Sequence, residues 1–439
     1  MEPQNNNPLL SIERRGLNRR YRTALRCGAP RSFPVDDRET KLSKSPKLMI
    51  QRGIATFTLD YGTCPKWLFE RMVRLGREMT EILIDEYGPD EFVRRIADPV
   101  WFQSLGTVLA FDWNASGLTT ILTAALKEAI RGHEREFGIA IAGGKGKTSR
   151  KAPEQITYLG ERLELGARKT QSLVYNSKMS AKVDSALVQD GFQLYHHSFF
   201  FSRNGAWAVV QQGMNTDLEA ARRYHWFSEN EKDMVSEPHA AIATQARTDR
   251  ALNLVANSSE PTRSISVELV EAGFAPLMKD ITILRRHSSG LSKMLKIRAA
   301  GGEQLALLKL EDTEFKSHPV IHEDFSRSKY LEKILSKVTE IKPKNYEELA
   351  AIEGVGPKTV RALALVGEVI YGAKPSYEDP ARYSFAHGGK DATPYPVDRP
   401  TYDETISILA EAVRRSRIGS KEKDHALARL ARRSAVAAE

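Results

Sequence analysis

Two periodicities organise this chain, one typical of helices and one typical of strands. Apolar residues spaced three and four apart, the pattern of an amphipathic helix, recur over most of the sequence. They predict helices at 67–87, 89–96, 118–132, 156–163, 167–174, 181–189, 216–224, 231–235, 241–256 and 261–271, and another from residue 402 onward. Short apolar runs predict strands at 54–62 and 137–142. The whole pattern predicts an α+β fold that is predominantly helical and contains a small sheet.

A β-hairpin is the clearest strand signal. Two apolar segments, 192–202 and 207–214, flank an Asn-Gly dipeptide at 204–205, and Asn-Gly is the strongest two-residue turn signal. A two-residue turn at this point pairs His197 with Gln212 across the hairpin. Both segments are polar at the end away from the turn, so the pattern predicts that these polar ends converge.

The segment 345–371 carries the signals of two short helices around a glycine turn. Asn345 and Glu348 form a capping-box-like helix start. Gly354 and Gly356 permit a tight turn, and we expect a side chain at either position to crowd it. A proline then opens the second helix, whose first backbone N–H groups suit a phosphate oxygen.

This segment resembles the helix-hairpin-helix motif of DNA repair proteins in its hydrophobic-Gly-hydrophobic-Gly core. The resemblance implies a grip on nucleic-acid backbone without reading of base sequence. The alternative is an αα-hairpin that serves only packing. The residues that we expect to contact nucleic acid here are Gly354, Gly356, Lys358, Thr359 and Arg361.

The same patterns divide the chain into five predicted regions. Residues 1–48 form a basic arm with little apolar periodicity, which we expect to be disordered. The others are a mixed α/β core domain at 49–300, a connector at 301–344, a helix-hairpin-helix module with a Gly- and Pro-rich loop at 345–400, and a charged C-terminal helix at 401–439.

Composition favours a polyanionic partner. The 439 residues carry a formal net charge of +9, and the mean hydropathy is −0.42. The sequence has no run of about 18 apolar residues and no secretory signal, so we expect no membrane partner. Two cysteines, Cys27 and Cys64, exclude a disulfide framework. We therefore expect a cytoplasmic, nucleoid-associated protein that binds the phosphate backbone of DNA.

Polar groups are concentrated between residues 178 and 226. Metal-dependent hydrolysis of a phosphodiester needs carboxylates to hold Mg²⁺ or Mn²⁺ and a group that activates water. Asp184 and Asp190 are the expected metal ligands, and the expected catalytic residues are these two with His196, His197 and Gln212. The two adjacent histidines face opposite sides of a strand, and His197 is preferred. The alternatives are nucleic-acid contact without chemistry and ordinary hydrogen bonds at a strand end.

Two basic loops are further candidates for phosphate contacts. The string GGKGKTS at 143–149 lacks the glycine spacing of a Walker loop, because position 141 is Ile, so we expect no nucleotide cofactor. Lys145 and Lys147 in this loop are expected to contact nucleic-acid phosphates, the alternative being a solvated loop. Lys390, in the Gly- and Pro-rich loop, is expected to contact phosphate unless that loop only docks onto the core.

Three long strings together resemble the prokaryotic family named domain of unknown function 763. They are MSAKVDSALVQDGFQLYHHSFFFS, GVGPKTVRALALVGEVIYG and DPARYSFAHGGKDATPYPVDR. The resemblance covers roughly residues 50–425 and implies an embedded helix-hairpin-helix motif and a role in DNA metabolism. The chain departs from the family pattern at Asp60 and Asn114, where histidines are expected, and after His239, where cysteines are expected. These departures bear on chemistry and leave the expected DNA binding unchanged.

Three functions are compatible with these features. The first is a DNA-binding protein of DNA metabolism or repair that acts as a metal-dependent nuclease. The second is a non-catalytic DNA-binding or architectural protein, which the missing histidines favour. The third is a DNA glycosylase-like enzyme, for which Asp379 follows the glycine turn at approximately the spacing of a catalytic aspartate.

Overall fold

The computed structural model describes residues 63–109, 115–230, 233–244, 248, 251–288, 297–298, 304–305, 328–381 and 399–438. All of them belong to the compact unit formed by residues 51–439. Several predicted features lie outside the described residues: the arm at 1–48, the strand at 54–62, Asp60, Asn114 and Lys390.

The strands of the described residues are β1 (Ile139–Lys145), β2 (Val188–Gln189), β3 (Gln193–Ser202), β4 (Trp207–Asn215), β5 (Ala220–Phe227), β6 (His239–Thr244), β7 (Leu252–Asn253), β8 (Ile297–Arg298) and β9 (Gln304–Leu305). Five of them form an antiparallel sheet with the strand order β1-β3-β4-β5-β6. Two shorter ladders pair β2 with β7 and β8 with β9.

Helices contribute most of the remaining described structure. They are α1 (Lys66–Tyr87), α2 (Pro89–Ala97), α3 (Pro99–Val108), α4 (Ala115–Ala129), α5 (Glu134–Phe137), α6 (Ala152–Arg162), α7 (Ala167–Lys182), α8 (Glu260–Glu271), α9 (Phe274–Ser288), α10 (Lys329–Ile341), α11 (Tyr346–Ala351), α12 (Pro357–Tyr371), α13 (Arg399–Arg415) and α14 (Ser420–Ala438). The predicted α+β class, mostly helical with a small sheet, is confirmed. Within the described ranges, no helix is long and apolar enough to cross a membrane.

Both faces of the sheet are buried. Phe199 and Phe201 of β3 belong to one hydrophobic core, which includes residues of α6 to α12. Phe200, between them, belongs to a second core with residues of α1 to α4, α13 and α14. Successive side chains of a strand point to opposite faces, so a strand covered on both sides carries apolar residues in a continuous run. This arrangement explains the Phe199–Phe201 triplet.

The predicted hairpin of β3 and β4 is confirmed, but the predicted register is wrong by one residue. Phe201 pairs with Trp207, and His197 pairs with Gln211, not with Gln212. The turn is longer than two residues because the backbone N–H of Ser202 donates to the carbonyl of Ala206 (2.9 Å). The Ser202 hydroxyl also accepts the N–H groups of two turn residues, which stabilises this longer loop.

Three predicted helices are wrong. Residues 216–224 and 241–256 contain β5, β6 and β7, and residues 233–235 of the predicted 231–235 helix are not helical. The predicted 181–189 helix is helical as far as residue 187, as the end of α7 and a π-helical turn at Val183–Leu187, and its last two residues form β2. The apolar pattern does not predict strand β5 because polar residues occupy buried positions in its sequence, AARRYHWF. Helix α3 was missed because nine of its ten residues are buried, which leaves no amphipathic stripe.

Two predicted regions have more structure than expected. Helix α10 lies within the predicted connector at 301–344. The predicted C-terminal helix at 401–439 is two helices, α13 and α14, separated around Gly419. The division of the chain into five regions stays a prediction.

Candidate functional site

A cavity of about 990 Å³ lies beside the β3–β4 hairpin. Its wall comes from α7, from the 3-10 segment Gly146–Lys151 after β1, and from the chain that follows α11. Three cationic side chains and one carboxylate line it, so its charge favours an anion. The polar lining residues are Ser149, Arg150, Tyr175, Ser177, Lys178, Lys182, Ser185, Tyr195, His196, His197, Gln211 and Glu353.

Ser177 and His197 meet in this cavity wall. The Ser177 hydroxyl lies 2.9 Å from Nε2 of His197, and the other ring nitrogen, Nδ1, lies 2.9 Å from Oε1 of Gln211. Both residues are buried, with 2% and 6% of their surface exposed. Position 197 pairs with position 211 across the hairpin, so both side chains project from one face of the sheet toward α7.

Asp184 orients the Gln211 side chain. The indole N–H of Trp226 donates to Asp184 Oδ2 (3.0 Å), and Nε2 of Gln211 donates to the same oxygen (2.5 Å). Because an indole N–H can only donate, Asp184 Oδ2 is an acceptor, and the amide must present its N–H₂ side to it. The amide oxygen of Gln211 therefore faces His197. His239 Nε2 also contacts Asp184 through the other carboxylate oxygen.

This geometry fixes the tautomer of His197. The Gln211 oxygen accepts a hydrogen bond, so the proton of neutral His197 sits on Nδ1. Nε2 is then the acceptor of the Ser177 O–H. Burial lowers the pKa of His197, against the smaller upward effects of the Gln211 hydrogen bond and the Asp184 charge. His197 is thus a neutral base that points its lone pair at a hydroxyl, as general-base catalysis requires.

His196 and Gln212 lie on the opposite face of the sheet. His196 Nε2 contacts the hydroxyls of Thr123 (3.2 Å) and Ser198 (3.0 Å). Gln212 donates to the carbonyl of Ser116 (3.0 Å). Burial, with neighbouring cations, lowers the pKa of His196 to about 3. The expectation that the two histidines face opposite sides is confirmed, and the expected convergence of Gln212 with His197 is wrong because the register differs by one.

Asp190 is held by a different set of donors. Arg222 donates to its Oδ2 (2.7 Å), Tyr224 donates to the same oxygen (2.8 Å), and the Phe192 N–H donates to Oδ1 (3.0 Å). Arg222 also donates to Asp379 (2.7 Å). Burial by itself would lower the pKa of Arg222, but the two carboxylates raise it. This buried ion-pair network joins β5 to two other segments. One is the segment between β2 and β3, which carries Asp190, and the other is the segment after α12, which carries Asp379.

These contacts do not suit the metal ion expected at Asp184 and Asp190. Each carboxylate is fully buried and already accepts three protein donors, two of them on one oxygen. Among the described residues, no group of three His, Cys, Asp or Glu side chains is placed to hold a metal. The Mg²⁺ or Mn²⁺ expectation stays a prediction without a geometric basis. Asp379, the aspartate of the glycosylase hypothesis, is similarly engaged by Arg222 and by the Thr248 and Ala381 N–H groups.

The turn between α11 and α12 lies next to the cavity. Asn345 caps α11, since its side-chain oxygen accepts the Glu348 N–H (2.8 Å). Gly354 has φ +96°, and a Cβ there would lie 2.4 Å from the Ile334 side chain, so glycine is required. The expectation that a side chain would also crowd Gly356 is wrong, because its nearest neighbour would be 4.0 Å away.

Two lysines hold the carbonyls of this turn. Lys182 of α7 donates to the carbonyl of Val355 (2.5 Å), and Lys337 of α10 donates to the carbonyl of Glu353 (2.8 Å). Two ammonium groups therefore sit beside the N-terminus of α12, where the helix dipole is already positive. In the described part of the chain, the backbone N–H groups of Lys358 and Thr359 have no acceptor.

The predicted nucleic-acid contacts differ in their exposure. Lys358, Lys145 and Lys147 are exposed. Thr359 is buried, with 2% of its surface exposed. Arg361 is half-buried and donates to the side chain of Gln189 (2.6 Å), and burial lowers its pKa. The exposed lysines are thus better placed for phosphate than Thr359 or Arg361.

The residue that sequence reasoning missed is Ser177. It precedes Asp184 by seven residues, two helical turns, which places both on one face of a continuous helix. The apolar pattern predicts one helix that ends at 174 and another that begins at 181, whereas α7 and its π-helical extension run without a break to Leu187. The spacing of seven residues between Ser177 and Asp184 is the sequence signal that identifies Ser177 as a candidate.

The chain matches, over residues 53–397, the family described as protein of unknown function (DUF763). It belongs to that family. The resemblance inferred from three sequence strings is thereby confirmed at the level of the family. Neither the search of curated proteins nor the search of solved structures found a match.

Proposed function

We propose that this protein binds DNA through its phosphate backbone and acts in DNA metabolism or repair. The observation that carries the proposal is the electropositive turn between α11 and α12. We infer that this turn is a helix-hairpin-helix motif, and that the protein is nucleoid-associated for the same reason.

Three features of the turn support phosphate binding. Lys182 and Lys337 place ammonium groups on its carbonyls, and Lys358 is exposed at the start of α12. The N–H groups at the start of a helix are natural donors to a phosphate oxygen. Together these groups present positive charge and donors at a turn that packs closely against Ile334 of α10 because Gly354 has no Cβ.

The cavity extends this positive surface. Arg150 and Lys178 line it and are exposed, and the residues Ala351 and Glu353 of the turn line it as well. Lys145 lies on the same side as the cavity residue Tyr195, with its ammonium 6.0 Å from the centre of the ring. A backbone held at the turn would therefore pass cationic groups on α7 and on the Gly146–Lys151 segment.

The proposal is tested by fluorescence anisotropy of the full-length protein with labelled duplexes at several salt concentrations. We expect log K to fall linearly with log salt, at about 0.9 per phosphate contact. Two duplexes of unrelated sequence should bind with similar affinity, because phosphate contacts carry no sequence information. Absence of binding at low salt, or binding that salt does not weaken, would contradict the proposal.

A further inference from the structure

We propose that Ser177 is a nucleophile activated by His197 and that it attacks the phosphorus of a phosphodiester held in the cavity. The phosphodiester part rests on the proposed function, since it assumes that phosphate backbone is the ligand. The nucleophile part rests on the geometry of Ser177, His197, Gln211 and Asp184 alone.

The four side chains form a directional series of hydrogen bonds. Asp184 orients the amide of Gln211, the amide oxygen holds the proton of His197 on Nδ1, and Nε2 of His197 accepts the Ser177 hydroxyl. A serine is a weak nucleophile until an adjacent base removes its proton, and the base is oriented by a third group. In this site the third group is the neutral amide of Gln211, which the buried carboxylate of Asp184 orients.

The reaction balances with the chain's own groups and water. Ser177 Oγ forms a bond to phosphorus while its proton moves to His197 Nε2. The phosphorus–oxygen bond to the leaving alcohol breaks, and the departing alkoxide takes the proton from His197. A water molecule then attacks the phosphorus while its proton moves to His197 Nε2. The bond between phosphorus and Ser177 Oγ breaks, the proton passes from His197 to Oγ, and a phosphate monoester is released.

The charge of the cavity favours a phosphodiester over a neutral ester or amide. Arg150, Lys178 and Lys182 face a single carboxylate, Glu353, among the lining side chains. Cationic groups near the phosphorus would stabilise the charge of the attacking and leaving oxygens in the transition state. A neutral acyl substrate would make no use of them.

The nucleophile is tested by reaction with diisopropyl fluorophosphate, which transfers its phosphoryl group to an activated serine with loss of fluoride. Intact-protein mass spectrometry gives the rate, and fragmentation of the tryptic peptide 170–178 gives the site. That peptide also contains Ser172, an exposed serine that serves as an internal control. We expect an adduct on Ser177 and none on Ser172.

Variants separate activation from mere exposure. Ser177→Ala should abolish the adduct, and His197→Ala should slow its formation at least 100-fold. Ser180→Ala is the matched control, because Ser180 is a buried serine of the same helix whose hydroxyl contacts the Ser177 carbonyl (3.1 Å) and not His197. It should label like the parent. No adduct on Ser177, or an equal rate in His197→Ala, would overturn the assignment of a nucleophile.

The substrate class is tested with bis(4-nitrophenyl) phosphate in the presence of EDTA. We expect release of 4-nitrophenolate by the parent and by Ser180→Ala, and a loss of about 1,000-fold or more in Ser177→Ala. If the parent releases no 4-nitrophenolate, or if Ser177→Ala releases it as fast, the phosphodiester assignment is overturned. Neither probe needs DNA. A Ser177 adduct in a protein that does not bind DNA would therefore count against the proposed function only.

Discussion

The side-chain amide of Gln211 donates to the buried carboxylate of Asp184, and this contact determines which nitrogen of a neighbouring histidine carries the proton. An amide has a donor end and an acceptor end, so fixing one end fixes the other. Were the amide reversed, its N–H₂ group would face His197 Nδ1 and favour the tautomer with the proton on Nε2. Ser177 would then face a donor and not a base.

Disruption of the hydrogen bonds that link Asp184, Gln211 and His197 should slow the reaction of Ser177 without weakening substrate binding. Gln211→Met removes the acceptor for His197 Nδ1, and we expect the rate of fluorophosphate labelling at Ser177 to fall on the order of 10- to 100-fold. In the diester assay the loss should appear in kcat, with KM nearly unchanged, because Gln211 orients the base and does not hold the substrate.

A carboxyl group at position 211 should preserve these hydrogen bonds. In Gln211→Glu two carboxyl groups in contact hold one proton between them, so the introduced carboxyl donates its O–H to Asp184 Oδ2 and accepts from His197 Nδ1 through its other oxygen. We expect labelling within about tenfold of the parent rate. A Gln211→Glu variant as slow as Gln211→Met, in a protein of unchanged melting temperature, would show that orientation of His197 is not what Gln211 provides.

Asp190 should behave as a structural residue. Asp190→Asn removes one carboxylate from a buried network with Arg222, and we expect the free energy of unfolding in urea to fall by roughly 3 kcal/mol. Asp217→Asn, the same change at an exposed aspartate in the turn between β4 and β5, should change it by less than about 0.5 kcal/mol.

The metal hypothesis predicts a different outcome for the same variant. If Asp190 binds Mg²⁺ or Mn²⁺, titration calorimetry should show binding to the parent and its loss in Asp190→Asn, with little change in stability. Metal binding that the variant abolishes, together with an unchanged free energy of unfolding, would contradict the structural role described here.

The buried His196 should make stability depend on pH. Its pKa falls from the ordinary 6.5 to about 3 on folding, so between these values the unfolded chain binds more protons than the folded one. This contribution to stability is complete above pH 6.5 and is lost as the pH falls toward 3. From pH 7 to pH 5 we expect the parent to lose roughly 2 kcal/mol more than His196→Gln.

The control for this measurement is His133→Gln, at a histidine whose side chain is 42% exposed. It removes an exposed histidine and leaves His196 in place, so comparison of the two variants separates the effect of burial from the loss of a histidine. His197 and His225 are also buried with lowered pKa values and remain in every variant, so the comparison isolates His196. Equal pH slopes for the parent and His196→Gln would contradict the assignment of a neutral, buried imidazole.

Local signals in the sequence predicted much of the secondary structure but little of the site. The α1 and α2 boundaries, the hairpin and the Asn345 cap follow from periodicity and short-range hydrogen bonds. The pairing of His197 with Gln211 depends on how Ser202 closes its loop, and a one-residue difference there moves every partner along the strand.

Buried polar residues explain the remaining differences between the predicted and the observed structure. Arg222 and Tyr224 occupy fully buried strand positions, and their partner Asp190 is 32 to 34 residues away in the chain. A prediction from apolar periodicity places such residues in solvent, and for this reason it gives a helix where the structure has strand β5. Only tertiary structure shows that these side chains satisfy one another.

Charge reversal at Lys358 is the sharpest test of the proposal that DNA is held at the turn before α12. The control is Lys374→Glu, which makes the same change at an exposed lysine beyond the other end of the same helix, about 22 Å away along its axis. Anisotropy with a labelled duplex across a salt series should show at least tenfold weaker binding for Lys358→Glu, with a salt slope smaller by about 0.9. Lys374→Glu should bind within about twofold of the parent. Equal affinities for the parent and for a folded Lys358→Glu would show that DNA is not held at this turn.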